Sequence, residues 1–368
     1  MSKRFIVTVV TLVAITIIAS IAIFLAKGYT FSTKEKRIVG TGIISVSSEP
    51  DAASVFIDGH LTTATNTTIA SLTPKNYAVK IVKEGFIPWE KQISVKEGLV
   101  TEVKVTLFPA IPTIYPLTFN GVENSTLSPD GSKLAYIVPL SGSGMNKKSG
   151  IWVWTQARNQ PISFVRSSAE PHQIAQSITN DFSKATLKWS SDSKQVLATV
   201  SGNNYLLDAD RFNDEPRDIT PILQATLQSW TDDARAKEAA RVLVVQNALF
   251  RQVASSSAVV RWSPDETKFM AGKDEESLKV YDLEYGKEYF LPKARLHTWL
   301  PNSRHIILIE DKSISVADFD GTNKAIIYAG SFQDNFVFPW LDSSRLVIIS
   351  SFPTPTASEP NLYGINLK

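Results

Sequence analysis

The side chains that most often perform acid–base chemistry or bind metals are scattered along this chain of 368 residues. None of the four histidines, His60, His172, His297 and His305, has a second histidine or a glutamate at the spacing of a zinc site. The chain contains no cysteine, which excludes disulfides, thiolate nucleophiles and thiolate metal ligands. We therefore predict neither a metal site nor a cofactor site.

Carboxylates are the remaining candidates for chemistry. Asp130, Asp192 and Asp265 occupy equivalent places in similar short segments. They could form a catalytic carboxylate pair, but hydrogen bonds that close a local turn are the favoured interpretation. No phosphate-binding glycine pattern occurs, and Gly142-Ser143-Gly144 lacks the strand–turn–helix setting of a nucleophile elbow. No catalytic residue is identified, so we predict that the protein is not an enzyme.

Tryptophans are the other group that could bind a ligand. Five of them lie at or near the same segments as the aspartates: Trp189, Trp230, Trp262, Trp299 and Trp340. They could form an aromatic surface for glycans or peptides, but packing between neighbouring repeats is favoured because they share a repeat position.

Two further tryptophans, Trp152 and Trp154, alternate within residues 150–155 beside a Ser/Gly-rich loop, so they face the same side of a strand. The hydrophobic core is again the favoured place for them. They are nevertheless the only residues that we name as candidates for contact with a partner.

The elements that position these residues recur along the chain. Leu127-Ser-Pro-Asp-Gly-Ser-Lys-Leu-Ala-Tyr136 is repeated in related form from Trp189, Trp262 and Trp299, and in shorter form from Trp340. The later copies are about 40 residues apart, which is the length of one four-stranded propeller blade. In each copy an apolar residue ends a strand, a turn follows, and an apolar strand begins.

This pattern resembles the WD-like Ser-Pro-Asp-Gly repeats of TolB-type β-propellers. The repeats themselves predict five or six blades over residues 117–368. His297 and His305 flank one of the turns, so we expect them at the surface. Residues 231–251 are rich in alanine, arginine and leucine and predict one helix inserted between blades, although Trp230-Thr-Asp-Asp could instead be a degenerate blade turn.

Residues 42–108 alternate between apolar and polar positions in about six short runs broken by turn residues, which predicts a small β-sandwich. The opening Gly42-Ile-Ile-Ser-Val-Ser-Ser-Glu-Pro-Asp-Ala-Ala-Ser-Val-Phe-Ile-Asp-Gly59 resembles a PEGA domain, and Lys83-Glu84-Gly85-Phe86 fits a later step of that family. The resemblance implies a module of envelope proteins. A proline-rich linker, residues 109–116, follows it.

The N-terminal region carries an uncharged apolar run, residues 5–26, long enough to cross a bilayer as a helix. A cleaved signal peptide is the competing interpretation, but Phe24-Leu25-Ala26 is a poor cleavage site, so an uncleaved anchor is favoured. We predict that residues 1–4 are a cytoplasmic tail and residues 27–41 a linker, with the remainder outside the cytoplasm.

The formal net charge of +2 gives no reason to expect binding to nucleic acid. Together these features predict an all-β, single-pass membrane protein of the cell envelope that acts as a binding or scaffold module. Its partners would be the lipid bilayer, through residues 5–26, and a protein or a cell-wall glycan. A propeller-based hydrolase, or a ligand sensor with its site in the central channel, is the alternative.

Overall fold

In this computed structural model, the residues described are 3–26, 29–32, 37–140, 148–156, 170–178, 180–333, 336–352 and 359–368. They fall into two units, Met1–Ile111 with Lys368, and Pro112–Leu367. The structure is mostly β, as predicted, and we take each unit by itself.

The first unit begins with helix α1 (Lys3–Ala26), followed by a two-stranded antiparallel sheet of β1 (Tyr29–Ser32) and β2 (Arg37–Gly40). Thr11 and Thr16 donate their hydroxyls to carbonyl oxygens one turn earlier in α1, because a helix interior leaves those groups few other acceptors. Within the described part of the chain, no helix combines the length and apolarity needed to cross a membrane. The assignment of residues 5–26 as an anchor therefore stays a prediction.

Seven strands follow in this unit, one more than the sequence indicated. They are β3 (Gly42–Glu49), β4 (Ser54–Ile57), β5 (His60–Ala64), β6 (Thr67–Leu72), β7 (Asn76–Val82), β8 (Trp89–Ser94) and β9 (Val100–Thr106). They form two sheets of order β6-β3-β9 and β5-β4-β7-β8, in which only β3 and β9 run parallel. Alternate residues such as Ile44, Val79 and Val103 point into one shared hydrophobic cluster.

The second unit contains five four-stranded sheets, which we number as blades 1 to 5. Blade 1 comprises β11 (Glu123–Leu127), β12 (Lys133–Val138), β13 (Gly150–Thr155) and β14 (His172–Gln176), and blade 2 comprises β15 (Thr186–Trp189), β16 (Gln195–Val200), β17 (Asn203–Asp208) and β18 (Arg217–Asp218). Blade 3 comprises β19 (Val259–Trp262), β20 (Lys268–Gly272), β21 (Lys279–Asp282) and β22 (Lys287–Phe290), and blade 4 comprises β23 (Leu296–Trp299), β24 (His305–Ile309), β25 (Ser313–Asp318) and β26 (Ala325–Ala329).

Blade 5 joins the two ends of this unit. It comprises β27 (Val337–Pro339), β28 (Arg345–Ser350), β29 (Asn361–Asn366) and the early strand β10 (Ile114–Pro116), which pairs with β29. Arg345 strengthens this closure: its Nη1 donates to the Tyr115 hydroxyl at 2.9 Å, and its guanidinium lies 4.9 Å from the centre of the Trp340 ring. The described residues therefore form five blades, within the predicted range of five or six.

Hydrophobic clusters join neighbouring blades. One cluster combines Ile137 and Val153 of blade 1 with Val196 and Leu207 of blade 2. Similar clusters join blade 3 to blade 4 and blade 5 to blade 1. Because successive side chains of a strand point to opposite faces, each central strand can supply both of its neighbours with apolar residues.

Two helices, rather than the one predicted, lie between blades 2 and 3 in the chain. They are α2 (Leu223–Val244) and α3 (Ala248–Ser256). The side chain of Asn247 starts α3 by accepting hydrogen bonds from the backbone N–H groups of Leu249 and Phe250, shortly after α2 ends at Val244. Trp230 lies inside α2, so Trp230-Thr-Asp-Asp is not a blade turn.

The expected surface positions of His297 and His305 are wrong, since both side chains are buried. A ring nitrogen of His297 lies 2.8 Å from the carbonyl oxygen of Pro292. The ring of His305 contacts Asn302 and lies 3.5 Å from a carboxylate oxygen of Asp318. Each buried ring therefore keeps at least one polar partner, which lowers the cost of removing it from water.

Candidate binding site

The turn that joins the first and second strands of each blade has the same conformation in all five blades, and we call these five turns the rim turns. Each contains one residue with positive φ, and these residues are Gly131 (68°), Ser193 (61°), Glu266 (57°), Ser303 (56°) and Ser343 (57°). Four of these five are not glycine, so the surrounding hydrogen bonds must hold the left-handed conformation in place.

The aspartates of the rim turns supply those hydrogen bonds. Asp130 accepts from the hydroxyl of Ser128 at 2.7 Å and from the backbone N–H of Ser132 at 3.0 Å. Asp265 accepts in the same way from Ser263 and Thr267. This confirms the turn-closing role that the sequence favoured for these carboxylates.

The same hydrogen bonds keep the aspartates charged. Burial by itself would raise the pKa of Asp130 and Asp265, but bonds from the neighbouring hydroxyl and N–H groups outweigh it and lower the pKa of both carboxyls. Both groups are therefore anionic at neutral pH.

Hydrogen bonds also link rim turns of adjacent blades. The backbone N–H of Asp130 donates to the Ser193 hydroxyl at 3.3 Å, and the N–H of Asp265 donates to the Ser303 hydroxyl at 3.1 Å. The positive-φ residue of one blade thus holds the aspartate of the preceding blade, which connects neighbouring turns at this end of the propeller.

Rim turns from blades 1, 3, 4 and 5 converge on a cavity of about 1070 Å³, which we call the rim cavity. Its walls contain three features: prolines of the turns, the tryptophans Trp262, Trp299 and Trp340, and the carboxylates of Asp130, Asp265 and Asp342. Helix α2 contributes Glu238 and Arg241. Rigid apolar surface beside a few fixed charges is the usual composition of a ligand site.

The rim tryptophans do not all have one role. Trp189 and Trp299 are each 6% exposed, and their indole N–H groups donate to carbonyl oxygens on the first strand of the preceding blade, those of Thr126 and Arg261. The predicted packing between blades is confirmed for these two. Trp340 lies one position later in its turn, where its backbone N–H donates to the carbonyl oxygen of Arg345, so it does not share their place in the repeat.

Trp262 departs from this pattern although it occupies the same position as Trp189 and Trp299. It is only partly buried, and its indole N–H donates to Oε1 of Glu238 on α2 at 2.6 Å instead of to a neighbouring blade. The inserted helix has taken the place of the preceding blade as its partner. No repeat comparison could have found Glu238, because α2 has no counterpart in the other blades.

The two candidate partner-binding residues are not among the residues that line the rim cavity, although they pack close to one of them. Trp154 is 7% exposed and occupies the strand position that Leu207 holds in blade 2. The Trp154 ring packs edge-on against Trp340 of blade 5, with ring centres 5.3 Å apart. Trp152 packs partly buried against the same cluster, and its indole N–H donates to the carbonyl oxygen of Lys148 at 2.8 Å. Their contact with a partner stays a prediction.

Within the residues that the structure describes, no group of three or more metal-ligating side chains comes together. The buried histidines lie beside carboxylates outside the rim turns, His297 beside Glu275 and His305 beside Asp318. The rim turns bring together aromatic, proline and carboxylate groups.

Comparison with known proteins identifies a family for part of the chain. The PEGA domain model matches residues 41–111. Similar solved structures include TolB from Acinetobacter baumannii, at 13% identity and a TM-score of 0.23, with 80% of this chain and 61% of that chain covered. A TolB candidate from Agrobacterium tumefaciens is 16% identical, with a TM-score of 0.24 and coverage of 64% and 76%.

The tricorn protease is also similar, at 12% identity and a TM-score of 0.22, with 77% of this chain and 26% of that chain covered. No curated protein matches the chain in sequence. Residues 41–111 are a PEGA domain, as predicted, and TolB proteins are among the structural neighbours that cover most of the chain.

Proposed function

We propose that this chain is a non-catalytic envelope protein whose propeller binds a partner protein at the rim cavity. The observation that supports this most directly is the rim cavity itself, which is about 1070 Å³ in volume and lined by turns from four blades. Turns of several strands at one end of a rigid scaffold are a common place for binding residues.

The charges of the rim favour a partner segment that carries lysine or arginine. Among the ion pairs of the described residues, none involves Asp130, Asp265 or Asp342. The two arginines of the cavity are already neutralised, Arg241 by Glu266 and Arg261 by Glu275. A cationic side chain would therefore meet carboxylates that take part in no ion pair of the described residues, beside the aromatic ring of Trp262.

In this proposal residues 5–26 anchor the protein in a membrane, and the PEGA domain and the propeller lie outside the cytoplasm. The sequence observation behind this part of the proposal is that residues 5–26 carry no charged side chain and follow Lys3 and Arg4. Protease added to spheroplasts should then digest the propeller and leave a small N-terminal fragment. Full protection of the propeller would reverse the orientation.

The binding proposal is tested by placing a photo-cross-linking amino acid in the full-length protein in cells. Leu341 lines the rim cavity, whereas Asp311 lies in the turn that joins the second and third strands of blade 4, at the opposite end of that blade. We expect a defined protein adduct from position 341 and none from position 311.

The role of charge is tested with a matched pair of reversals. Asp342→Lys changes the charge of the rim, and Asp311→Lys makes the same change at a side chain that is 86% exposed and outside the rim. Only the first should reduce the adduct at position 341. Equal adducts from positions 341 and 311, or a glycan adduct in place of a protein, would contradict a protein partner at the rim.

A further inference from the structure

Helix α2 differs from the rest of the propeller in how little of it is buried. None of its 22 residues is buried, and residues 231–237 are all exposed. Helices in proteins are normally stabilised by burying an apolar face. The neighbouring α3 follows that rule, with Phe250 and Ala254 buried.

Polar contacts hold α2 against the rim instead. Asp233 and Lys237 contact the blade 2 rim turn, where Lys237 Nζ donates to the Ser191 carbonyl at 2.9 Å and the Ser191 hydroxyl lies 3.4 Å from Asp233 Oδ2. Because they are four residues apart, they lie on the same side of the helix.

The same side of α2 reaches the blade 3 rim turn. Glu238 accepts from the indole N–H of Trp262 at 2.6 Å, and Arg241 Nε lies 2.8 Å from Oε1 of Glu266. One polar stripe thus bridges the rim turns of two blades, and its members Glu238 and Arg241 line the rim cavity. Exposed polar contacts of this kind contribute little net stability, because water offers the same groups alternative partners.

We infer that α2 is a displaceable cover of the rim cavity, held by this polar stripe and released when the stripe is broken. The inference rests on the proposed binding at the rim, and it assigns that site a means of regulation. The C-terminal end of α2 is the fixed end, because Val242 and Val245 pack in the cluster that α3 makes with blade 3. Displacement of the cover frees Glu238 and Trp262 for a ligand.

The motion of the cover is tested without any ligand, by amide hydrogen exchange on the full-length protein in detergent micelles. Lys237→Ala and Glu238→Ala each remove one rim contact. Both substitutions introduce a strong helix former, so faster exchange cannot come from lower helix propensity. We expect residues 223–241 to exchange about ten-fold faster in each variant, while α3 and the blades stay unchanged.

Arg235→Ala is the matched control. Arg235 lies on α2 but is 75% exposed and pairs only within the helix, with Asp232 at 3.9 Å. Exchange in this variant should equal that of the wild type. If α2 exchanges as slowly as α3 in the wild type and in both stripe variants, α2 is a fixed part of the propeller and the inference is overturned.

Photo-cross-linking from position 341 then separates the cover from the binding site. Faster exchange of α2 together with more adduct in Lys237→Ala supports both the cover and the proposed binding at the rim cavity. Faster exchange without an adduct in any variant overturns the proposed binding but leaves the mobile helix established. An adduct that is equal in all variants while α2 exchanges faster overturns the cover, because access to the rim would not depend on α2.

Discussion

The two faces of blade 3 are covered by different kinds of structure. On one face, Met270 and Val280 pack against Trp299 and Ile306 of blade 4. On the other, Phe269 and Tyr281 pack against Phe250 of helix α3. Both faces are buried to a similar extent, so the propeller accepts a helix where a neighbouring blade would otherwise pack.

The residues on the helix-covered face are larger than those at the equivalent positions of blade 2. Phe269 and Tyr281 are cross-strand partners in blade 3, and the equivalent partners in blade 2 are Val196 and Leu207, which face blade 1. Tyr281 stacks on Phe269 and meets Phe250 of α3 edge-on, with ring centres 5.0 and 5.1 Å apart. Aromatic contacts therefore join α3 to blade 3.

The largest effect is expected where two blades pack directly. Trp299→Ala removes a nearly buried indole and its hydrogen bond to Arg261, and should lower the free energy of unfolding by about 3–5 kcal/mol. Urea unfolding of the purified protein measures it. Trp262→Ala is the matched variant. If Trp299→Ala lowers the free energy of unfolding by less than Trp262→Ala does, packing between blades does not determine which tryptophan stabilises the fold more.

The helix-covered face should be somewhat more tolerant. Phe250→Ala is expected to cost about 3 kcal/mol, since it leaves a cavity between α3 and Tyr281. Leu249→Ala is the control on the same helix, because Leu249 is 71% exposed. Equal, small losses in both variants would mean that α3 does not replace a blade in stabilising blade 3.

A smaller effect is expected at the contact between α2 and the rim. Trp262→Phe keeps an aromatic ring against Phe269 but loses the donor to Glu238, and should cost about 1 kcal/mol. Trp189→Phe, at the same repeat position but with a backbone acceptor, is the comparison. The melting temperatures of the two variants compare a tryptophan that bonds to α2 with a tryptophan that bonds to a neighbouring blade.

The smallest effect depends on pH at the interface of blades 3 and 4. Burial lowers the pKa of His297, against opposing contributions from the Pro292 carbonyl and Glu275, with Arg261 acting in the same direction as burial. The folded-state pKa of His297 lies below the unfolded value of about 6.5. Its contribution to the free energy of unfolding is therefore fully present above that pH and is lost as the pH falls from there through the folded-state pKa.

The free energy of unfolding can change with pH by at most about 1.4 kcal/mol per pH unit through the titration of His297 alone. Urea unfolding between pH 8 and pH 5 measures it. His297→Gln, which cannot titrate, should reduce the slope, and an unchanged slope would show that His297 does not titrate differently in the folded state.

Local sequence was sufficient for the repeating parts of this fold. Ser-Pro-Asp-Gly and its variants form the rim turns because their hydrogen bonds join residues two to five positions apart, as between Asp130 and Ser132 or Ser128 and Lys133. Alternation of apolar residues likewise predicted the strands of residues 42–108, since it follows directly from strand geometry. The packing of Trp189 and Trp299 followed from their shared position.

Contacts between distant residues were beyond the reach of those patterns. The blade count depended on β10 pairing with β29, more than 240 positions later in the chain, and His297 was buried by residues that no local motif contains. The partner of Trp262 depended on where α2 came to lie. A repeat predicts what each blade does alone, but burial and partner choice depend on which surfaces meet, and that is a property of the folded chain.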